Sequence, residues 1–115
     1  MKKTIITSII VSTAFFITAC GGGNAPKQTS ANQIPDEVNI LLQKHTCLVC
    51  HKVDTKLIGP AYMEVAKKTS TPEQMVELVH NPKPENWLGY APMAPLPDVP
   101  AEDIIKIANW INTLK

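Results

Sequence analysis

Apolar residues recur at intervals of three and four in four segments of this chain, which is the spacing of one face of an α-helix. These segments lie near residues 35–44, 61–68, 71–81 and 101–114. The third begins with Thr-Pro-Glu-Gln, a sequence typical of a capped helix start with proline at the first helical position. No stretch alternates with period two for long enough to indicate a strand. The pattern therefore predicts an all-α domain of four to five short helices.

A proline-rich loop, residues 81–100, separates the third helical segment from the fourth. It contains six prolines and has no apolar periodicity. So long a loop in so small a domain usually has a function. We therefore expect it to contribute residues to a site.

The first twenty residues differ from the rest and resemble a bacterial export signal. Lys2 and Lys3 precede a short apolar run, which is interrupted by Ser and Thr and is too short for a comfortable membrane span. The run ends in Ile-Thr-Ala-Cys, which is similar to a lipobox, so we expect residues 1–19 to be a lipoprotein signal peptide and Cys20 to be lipidated. The alternative is an ordinary secretory signal that ends in a cysteine by chance.

Composition sets further limits on the exported protein. The chain has 115 residues, enough for one ordinary domain but not for a multidomain enzyme. Residues 20–34 are expected to form the lipidated cysteine and a flexible linker, and residues 35–115 the folded domain. Without residues 1–19, nine lysines face ten acidic residues, which excludes a strongly basic nucleic-acid binder. A domain this small is expected to need a cofactor, a metal or a disulfide.

Residues 47–51, Cys-Leu-Val-Cys-His, carry the candidate chemistry. C-x-x-C-H is the attachment signature of haem c. Two thiols at this spacing can add to the two vinyl groups of one haem, and the histidine that follows is presented to the iron as an axial ligand. The motif predicts one haem, covalently bound through Cys47 and Cys50, with His51 as a ligand.

Three kinds of site besides a haem site could contain these residues. A thioredoxin-like dithiol would need a preceding strand in a βαβ unit, which the pattern lacks. A zinc site would need two more ligands, for which only His45 and His80 are available. We expect His45 to face solvent and His80 to end a helix, where a partly cationic side chain is favourable. A structural disulfide between the two cysteines would leave His51 unexplained.

Residues 41–115 resemble the small bacterial monohaem class I cytochromes c, particularly those that donate electrons to periplasmic nitrite reductases and terminal oxidases. The matching segments are 47–62, the surroundings of Trp87, Ala-Pro-Met-Ala-Pro at 91–95, and Ile-Ala-Asn-Trp-Ile at 107–111. The resemblance implies the cytochrome c fold around one haem. It also implies a monomeric electron carrier with redox protein partners, and neither an enzyme nor a nucleic-acid binder.

The resemblance also implies roles for individual residues. Met93 corresponds to the distal iron ligand, and the carbonyl of Pro60 to the group that accepts the other ring N–H of His51. Trp87 corresponds to the tryptophan that hydrogen-bonds a haem propionate. The sequence departs from the family at Leu96, where many relatives have an asparagine bonded to the methionine sulfur. The interval between Trp87 and Met93 is also one residue longer than in the family.

Two other methionines could compete with Met93. Met63 and Met75 lie at helical spacing among apolar neighbours, which suits packing, whereas Met93 lies between two prolines of the proline-rich loop. With His51 and Met93 both bound, the iron has no open coordination site, which argues against catalysis.

We expect a membrane-anchored one-electron carrier that faces the periplasm or the outer side of the cytoplasmic membrane. One alternative is a haem-based sensor or small-molecule binder in which Met93 dissociates. Another is a haemless lipoprotein with a Cys47–Cys50 disulfide.

Overall fold

The computed structural model describes residues 33–68 and 71–115, which leaves the predicted signal peptide, Cys20 and most of the predicted linker outside the described residues. Within these ranges the chain forms helices and turns but no strand, as the apolar pattern predicted. None of the described helices is long and apolar enough to cross a membrane. The α-helices are α1 (Asp36–Lys44), α2 (Tyr62–Lys68), α3 (Pro72–His80) and α4 (Ala101–Asn112), with 3-10 turns at Cys47–Val49 and Pro84–Asn86.

Helix α4 forms the centre of the fold and contacts each of the other three helices. Its apolar residues recur every three or four positions, so they form one stripe that is covered from several sides. Leu42 of α1, Ala66 of α2 and Ala108 of α4 have no exposed surface, and Met75 of α3 is 5% exposed. The main core cluster comprises Val38, Leu41, Leu42, Tyr62, Ala66, Met75, Ile107, Ala108, Trp110, Ile111 and Leu114.

The start of α3 has the capping box that the sequence predicted. The Thr71 hydroxyl accepts a hydrogen bond from the Gln74 backbone N–H at 3.2 Å, and the Gln74 side chain accepts one from the Thr71 N–H at 3.2 Å. These two bonds satisfy N–H groups that a helix start otherwise leaves without partners. The end of α3 is also anchored, because His80 Nε2 donates to the Val99 carbonyl at 2.8 Å.

The junction between α1 and α4 corrects the expectation that His45 faces solvent. The side chains of His45 and Asp103 are each only 11% exposed, and His45 Nε2 lies 2.8 Å from the Asp103 carboxylate. Lys44 Nζ donates to the same oxygen at 3.0 Å. A carboxylate in this position needs hydrogen-bonding partners because burial removes its water. His45 therefore joins the segment before the first cysteine to the first turn of α4.

Candidate haem site

The two cysteines lie on a 3-10 turn that starts directly after α1. Thr46 has a left-handed backbone, with φ of 57°, and redirects the chain into the turn at Cys47–Val49. The Cys50 and His51 N–H groups both donate to the Cys47 carbonyl, at 3.2 and 3.1 Å. Residues three apart lie above one another in a 3-10 turn, so this geometry brings both thiols to one side. The thiols are not joined by a disulfide, and burial raises the pKa of Cys47.

His51 is held in a fixed orientation by the segment that follows it. Its Nδ1 lies 2.8 Å from the Pro60 carbonyl oxygen. A carbonyl can only accept, so Nδ1 carries the proton and Nε2 is left as the basic ring nitrogen. The Gly59 N–H in turn donates to the Cys50 carbonyl at 2.8 Å, which closes this segment back onto the cysteine turn. The structure thus contains the Pro60 hydrogen bond that the resemblance implied.

The imidazole is also confined on its faces. A Cβ atom at Gly59 would lie 2.5 Å from His51 Cε1, so only glycine permits this approach. The Tyr62 ring stacks on the imidazole with centroids 5.3 Å apart and planes 19° apart. Tyr62 also meets the edge of Trp110 at 5.5 Å, and burial raises its pKa strongly. The C-x-x-C-H motif by itself does not reveal the close contact between Gly59 and His51. The signal that could have revealed it is the Gly-Pro pair at residues 59 and 60.

A cavity of about 470 Å³ opens beside this histidine. Its volume lies within the range of about 300–1,000 Å³ typical of cofactor sites. The cavity is lined by Cys47, Cys50 and His51, by Trp87 and Met93 of the proline-rich loop, and by apolar side chains of α3 and α4. A pair of thiols and an imidazole at the wall of an apolar cavity fit a large apolar cofactor that carries a metal, so the residues present fit haem.

The three candidate methionines differ in position. Met93 lines the cavity and is 38% exposed, whereas Met75 lines it from within the core. Met63 is partly buried against the core cluster and does not belong to the cavity lining. The Leu96 N–H donates to the Val79 carbonyl at 3.0 Å, so the chain after Met93 is tied to α3.

Trp87 lies where the proline-rich loop meets α2. Its ring lines the cavity, meets the edge of the Tyr90 ring at a centroid distance of 6.0 Å, and lies 4.2 Å from Lys68 Nζ. The hydrogen bond between Trp87 and a haem propionate stays a prediction. Sequence reasoning missed the contacts of Tyr90 and of the lysines near it, because no local motif marks them.

An all-α domain with an attachment turn, an oriented histidine and an apolar cavity defines a c-type cytochrome. Comparison with known proteins identifies the family more closely. The chain is 40% identical to the cytochrome c-551 of Allochromatium vinosum over 76 residues, which cover 63% of this chain and 80% of the relative. It is 37% identical to the cytochrome c-551 of Stutzerimonas stutzeri over an alignment of 119 positions, which covers both chains fully.

The fold comparison agrees. The crystal structure of wild-type cytochrome c552 from Nitrosomonas europaea superposes with a TM-score of 0.60 at 32% identity, covering 67% of this chain and 99% of that one. No protein-family model matches the chain. The chain belongs to the small monohaem class I cytochromes c-551 and c-552. It is a haem-containing electron carrier with one haem c bound covalently through Cys47 and Cys50.

Proposed function

We propose that this cytochrome is an exported, lipid-anchored one-electron carrier whose haem iron is bound by His51 and Met93. The observation that carries the proposal is that both side chains line one apolar cavity, with the two attachment cysteines in the same lining. The bound haem supplies the one-electron couple between Fe(II) and Fe(III). The residues of the chain hold, shield and tune that group.

His51 is suited to the first axial position. The hydrogen bond from its Nδ1 to the Pro60 carbonyl leaves Nε2 as the ring nitrogen that can coordinate iron. Such a bond fixes the orientation of the imidazole and increases its basicity. Stacking on Tyr62 and the contact with Gly59 restrict the ring further, so its position is set before any ligand binds.

Met93 is suited to the second axial position. Its thioether is soft and uncharged, which favours Fe(II) and raises the reduction potential relative to a second histidine. Pro92 and Pro95 restrict the backbone on both sides, so the sulfur loses little conformational entropy on binding. Met75 also lines the cavity but is 5% exposed and belongs to the core cluster, and Met63 packs against that cluster.

The ligand assignment is tested by replacing each methionine in turn. In Met93→Ala we expect the weak near-red sulfur-to-Fe(III) absorption band to disappear and the reduction potential to fall. Met63→Leu and Met75→Leu are the matched controls, and each should cost at most about 1.5 kcal/mol of folding free energy while the band persists. A band that survives in Met93→Ala and vanishes in either control would contradict the assignment.

A carrier and a ligand sensor differ in whether the sixth position opens. The relatives are named as cytochromes c, which favours the carrier. With two strong ligands the reduced protein should bind carbon monoxide poorly, and tight binding would favour the sensor with a labile Met93. Whole-protein mass spectrometry separates both from a haemless lipoprotein, because one covalent haem adds its full mass whereas a disulfide removes two hydrogens.

The membrane anchor rests on Cys20, which lies outside the described residues. A lipid on this cysteine would hold the domain near the membrane through residues 20–34. The domain would then exchange electrons with respiratory proteins such as a nitrite reductase or a terminal oxidase. In Cys20→Ser the protein should leave the membrane fraction. Its retention there, or a native Cys20 without acyl groups, would contradict the anchor.

A further inference from the structure

Lys56 holds one end of the segment that leads to Met93. Its Nζ lies 4.2 Å from the centroid of the Tyr90 ring and donates a hydrogen bond to the Gly89 carbonyl at 3.0 Å. A cation over an aromatic face and a charged donor on a carbonyl are both attractive contacts. Together they fix a ring and a backbone position that lie three and four residues before Met93.

Tyr90 is held at its hydroxyl as well as at its ring. The hydroxyl donates to the Glu64 carboxylate at 2.7 Å, and the same oxygen accepts the Ala61 N–H at 3.2 Å. The hydrogen bond from Tyr90, and after it the one from Ala61, hold the pKa of Glu64 below its ordinary value. Glu64 therefore connects Tyr90 to the N-terminal turn of α2.

Lys68 makes a parallel pair of contacts at the other end of α2. Its Nζ lies 4.2 Å from the Trp87 ring centroid and donates to the Asn86 carbonyl at 2.9 Å. The rings of Trp87 and Tyr90 meet edge to face, so the two lysine contacts support one aromatic pair. The segment from Asn86 to Tyr90 is thus fastened at both ends by side chains from outside the proline-rich loop.

The position of Lys56 in the chain connects the segment that holds His51 with the segment that leads to Met93. Lys56 lies in the same segment as Gly59 and Pro60, which hold His51. The stretch of chain that orients His51 therefore also holds Tyr90, with only Ala91 and Pro92 between Tyr90 and Met93. Proline restricts the backbone of the loop locally but does not attach it to the body of the protein. The lysine contacts supply that attachment on the N-terminal side of Met93.

We propose that Lys56 and Lys68 are positioning residues for Met93. By fastening the Asn86–Tyr90 segment they hold the methionine sulfur at the iron and oppose its dissociation. The inference rests on the proposed ligation of iron by Met93. Neither lysine lines the cavity, whereas Tyr90 and Trp87 do, so both lysines act through these rings.

The test is the binding of imidazole to the ferric holoprotein, since imidazole must displace Met93 from the iron. Lys56→Met and Lys68→Met remove the cation and keep an apolar side chain. Each should raise the apparent affinity for imidazole about two- to fivefold, which corresponds to the loss of one exposed cation–π contact. Lys67→Met is the matched control, because it removes the same charge from the neighbouring exposed position of α2 and should leave the affinity unchanged.

Two further measurements separate positioning from general stability. Lys56→Arg keeps a cation that stacks on aromatic rings and should restore the wild-type affinity. In Lys56→Met the amide hydrogens of Trp87 and Tyr90, which donate to Pro84 and Trp87, should exchange faster with solvent than in the control.

Each remaining outcome overturns the inference in a recognisable way. If the lysine variants unfold at lower temperature but bind imidazole as the Lys67→Met control does, the contacts are structural only. If the sulfur-to-Fe(III) band is absent from the wild-type protein, or persists in Met93→Ala, the ligation itself fails and the positioning role with it. An intact, Met93-dependent band with unchanged imidazole affinity overturns the positioning role alone.

Discussion

The attachment segment (residues 45–62) and the proline-rich loop flank the same cavity, but different forces hold them. Backbone hydrogen bonds close the attachment segment onto itself, from Gly59 to Cys50 at 2.8 Å and from Tyr62 to Lys52 at 2.9 Å. Between the backbone bonds that join its two ends to α3 and α4, the proline-rich loop is attached to the body through a backbone bond from Leu96 to Val79 and through the side chains of other elements described above.

This difference assigns the two regions different tasks. A segment that closes locally can present both thiols and His51 in a fixed geometry, because its backbone hydrogen bonds and the bond between His51 and Pro60 join residues fewer than fifteen positions apart. A loop fastened by distant side chains depends on the rest of the fold. Changes at the cysteines, at His51 and at the groups that hold His51 should therefore affect folding and haem attachment, whereas changes in the loop, or at the lysines that fasten it, should affect the sixth iron ligand.

The largest effect is expected when the attachment segment loses both thiols. In Cys47→Ala/Cys50→Ala the domain should lose its haem and its cooperative unfolding transition, because about 81 residues with four aromatic side chains bury too little apolar surface alone. Thermal unfolding followed by circular dichroism measures this. Cys20→Ser, which keeps both attachment cysteines, is the control. A cooperative transition in the haemless variant would refute the expectation.

A smaller effect is expected from the glycine that touches His51. In Gly59→Ala the new Cβ would overlap Cε1 of the imidazole, so the ring or the backbone must move, at a cost of about 1–3 kcal/mol in folding free energy. Urea denaturation gives the free energy of unfolding, and the absorption spectrum of the haem reports the His51 ligation. An unchanged stability and spectrum would contradict the expectation, because it would show that the attachment segment accommodates the new Cβ without moving His51.

The matching glycine of the proline-rich loop should behave differently. Gly89 has φ of 87°, and among the described residues no atom beyond its two chain neighbours lies within 4 Å of the place a Cβ would take, so Gly89→Ala meets backbone strain but no steric contact. We expect a loss of about 1–2 kcal/mol, with the His51 ligation unchanged. Urea denaturation and the haem spectrum, recorded beside those of Gly59→Ala, make the comparison. A spectral change as large as that of Gly59→Ala would mean that the two regions are not independent.

The smallest effect concerns the link between His45 and α4 and is confined to acid. Hydrogen bonds from His45 and then from Lys44 hold the pKa of Asp103 below its ordinary value. The folded protein therefore binds this proton less readily than the unfolded chain, so the stabilisation is complete above about pH 4 and is lost as the pH falls through the lowered value.

Asp103→Asn should accordingly flatten the fall of stability with pH on the acid side, as measured by urea denaturation at a series of pH values. Glu102→Gln, at the exposed neighbouring position of α4, is the control for the removal of one charge. If stability falls as steeply with decreasing pH in Asp103→Asn as in the wild-type protein, this carboxylate does not contribute to the acid dependence of stability.

The sequence by itself determined the helices, the attachment motif and the candidate ligands. Apolar spacing placed α1 to α4, and Thr71 and Gln74 marked the start of α3, because these signals act between residues a few positions apart. Cys47, Cys50 and His51 likewise lie within one turn of chain, so their spacing alone predicts haem attachment. The resemblance added Pro60, whose hydrogen bond to His51 is present in the structure.

Only the tertiary structure decided which distant side chains meet. The sequence position of His45 predicts a surface residue, yet His45 contacts Asp103, 58 positions away. Lys56 and Tyr90 are 34 positions apart in the sequence, and no periodicity links a lysine after the haem motif to a tyrosine in the proline-rich loop. Such contacts depend on how helices pack around α4, and packing is a property of the whole chain. Local sequence patterns encode the elements, whereas the relative positions of those elements set the partners of His45, Lys56 and Lys68.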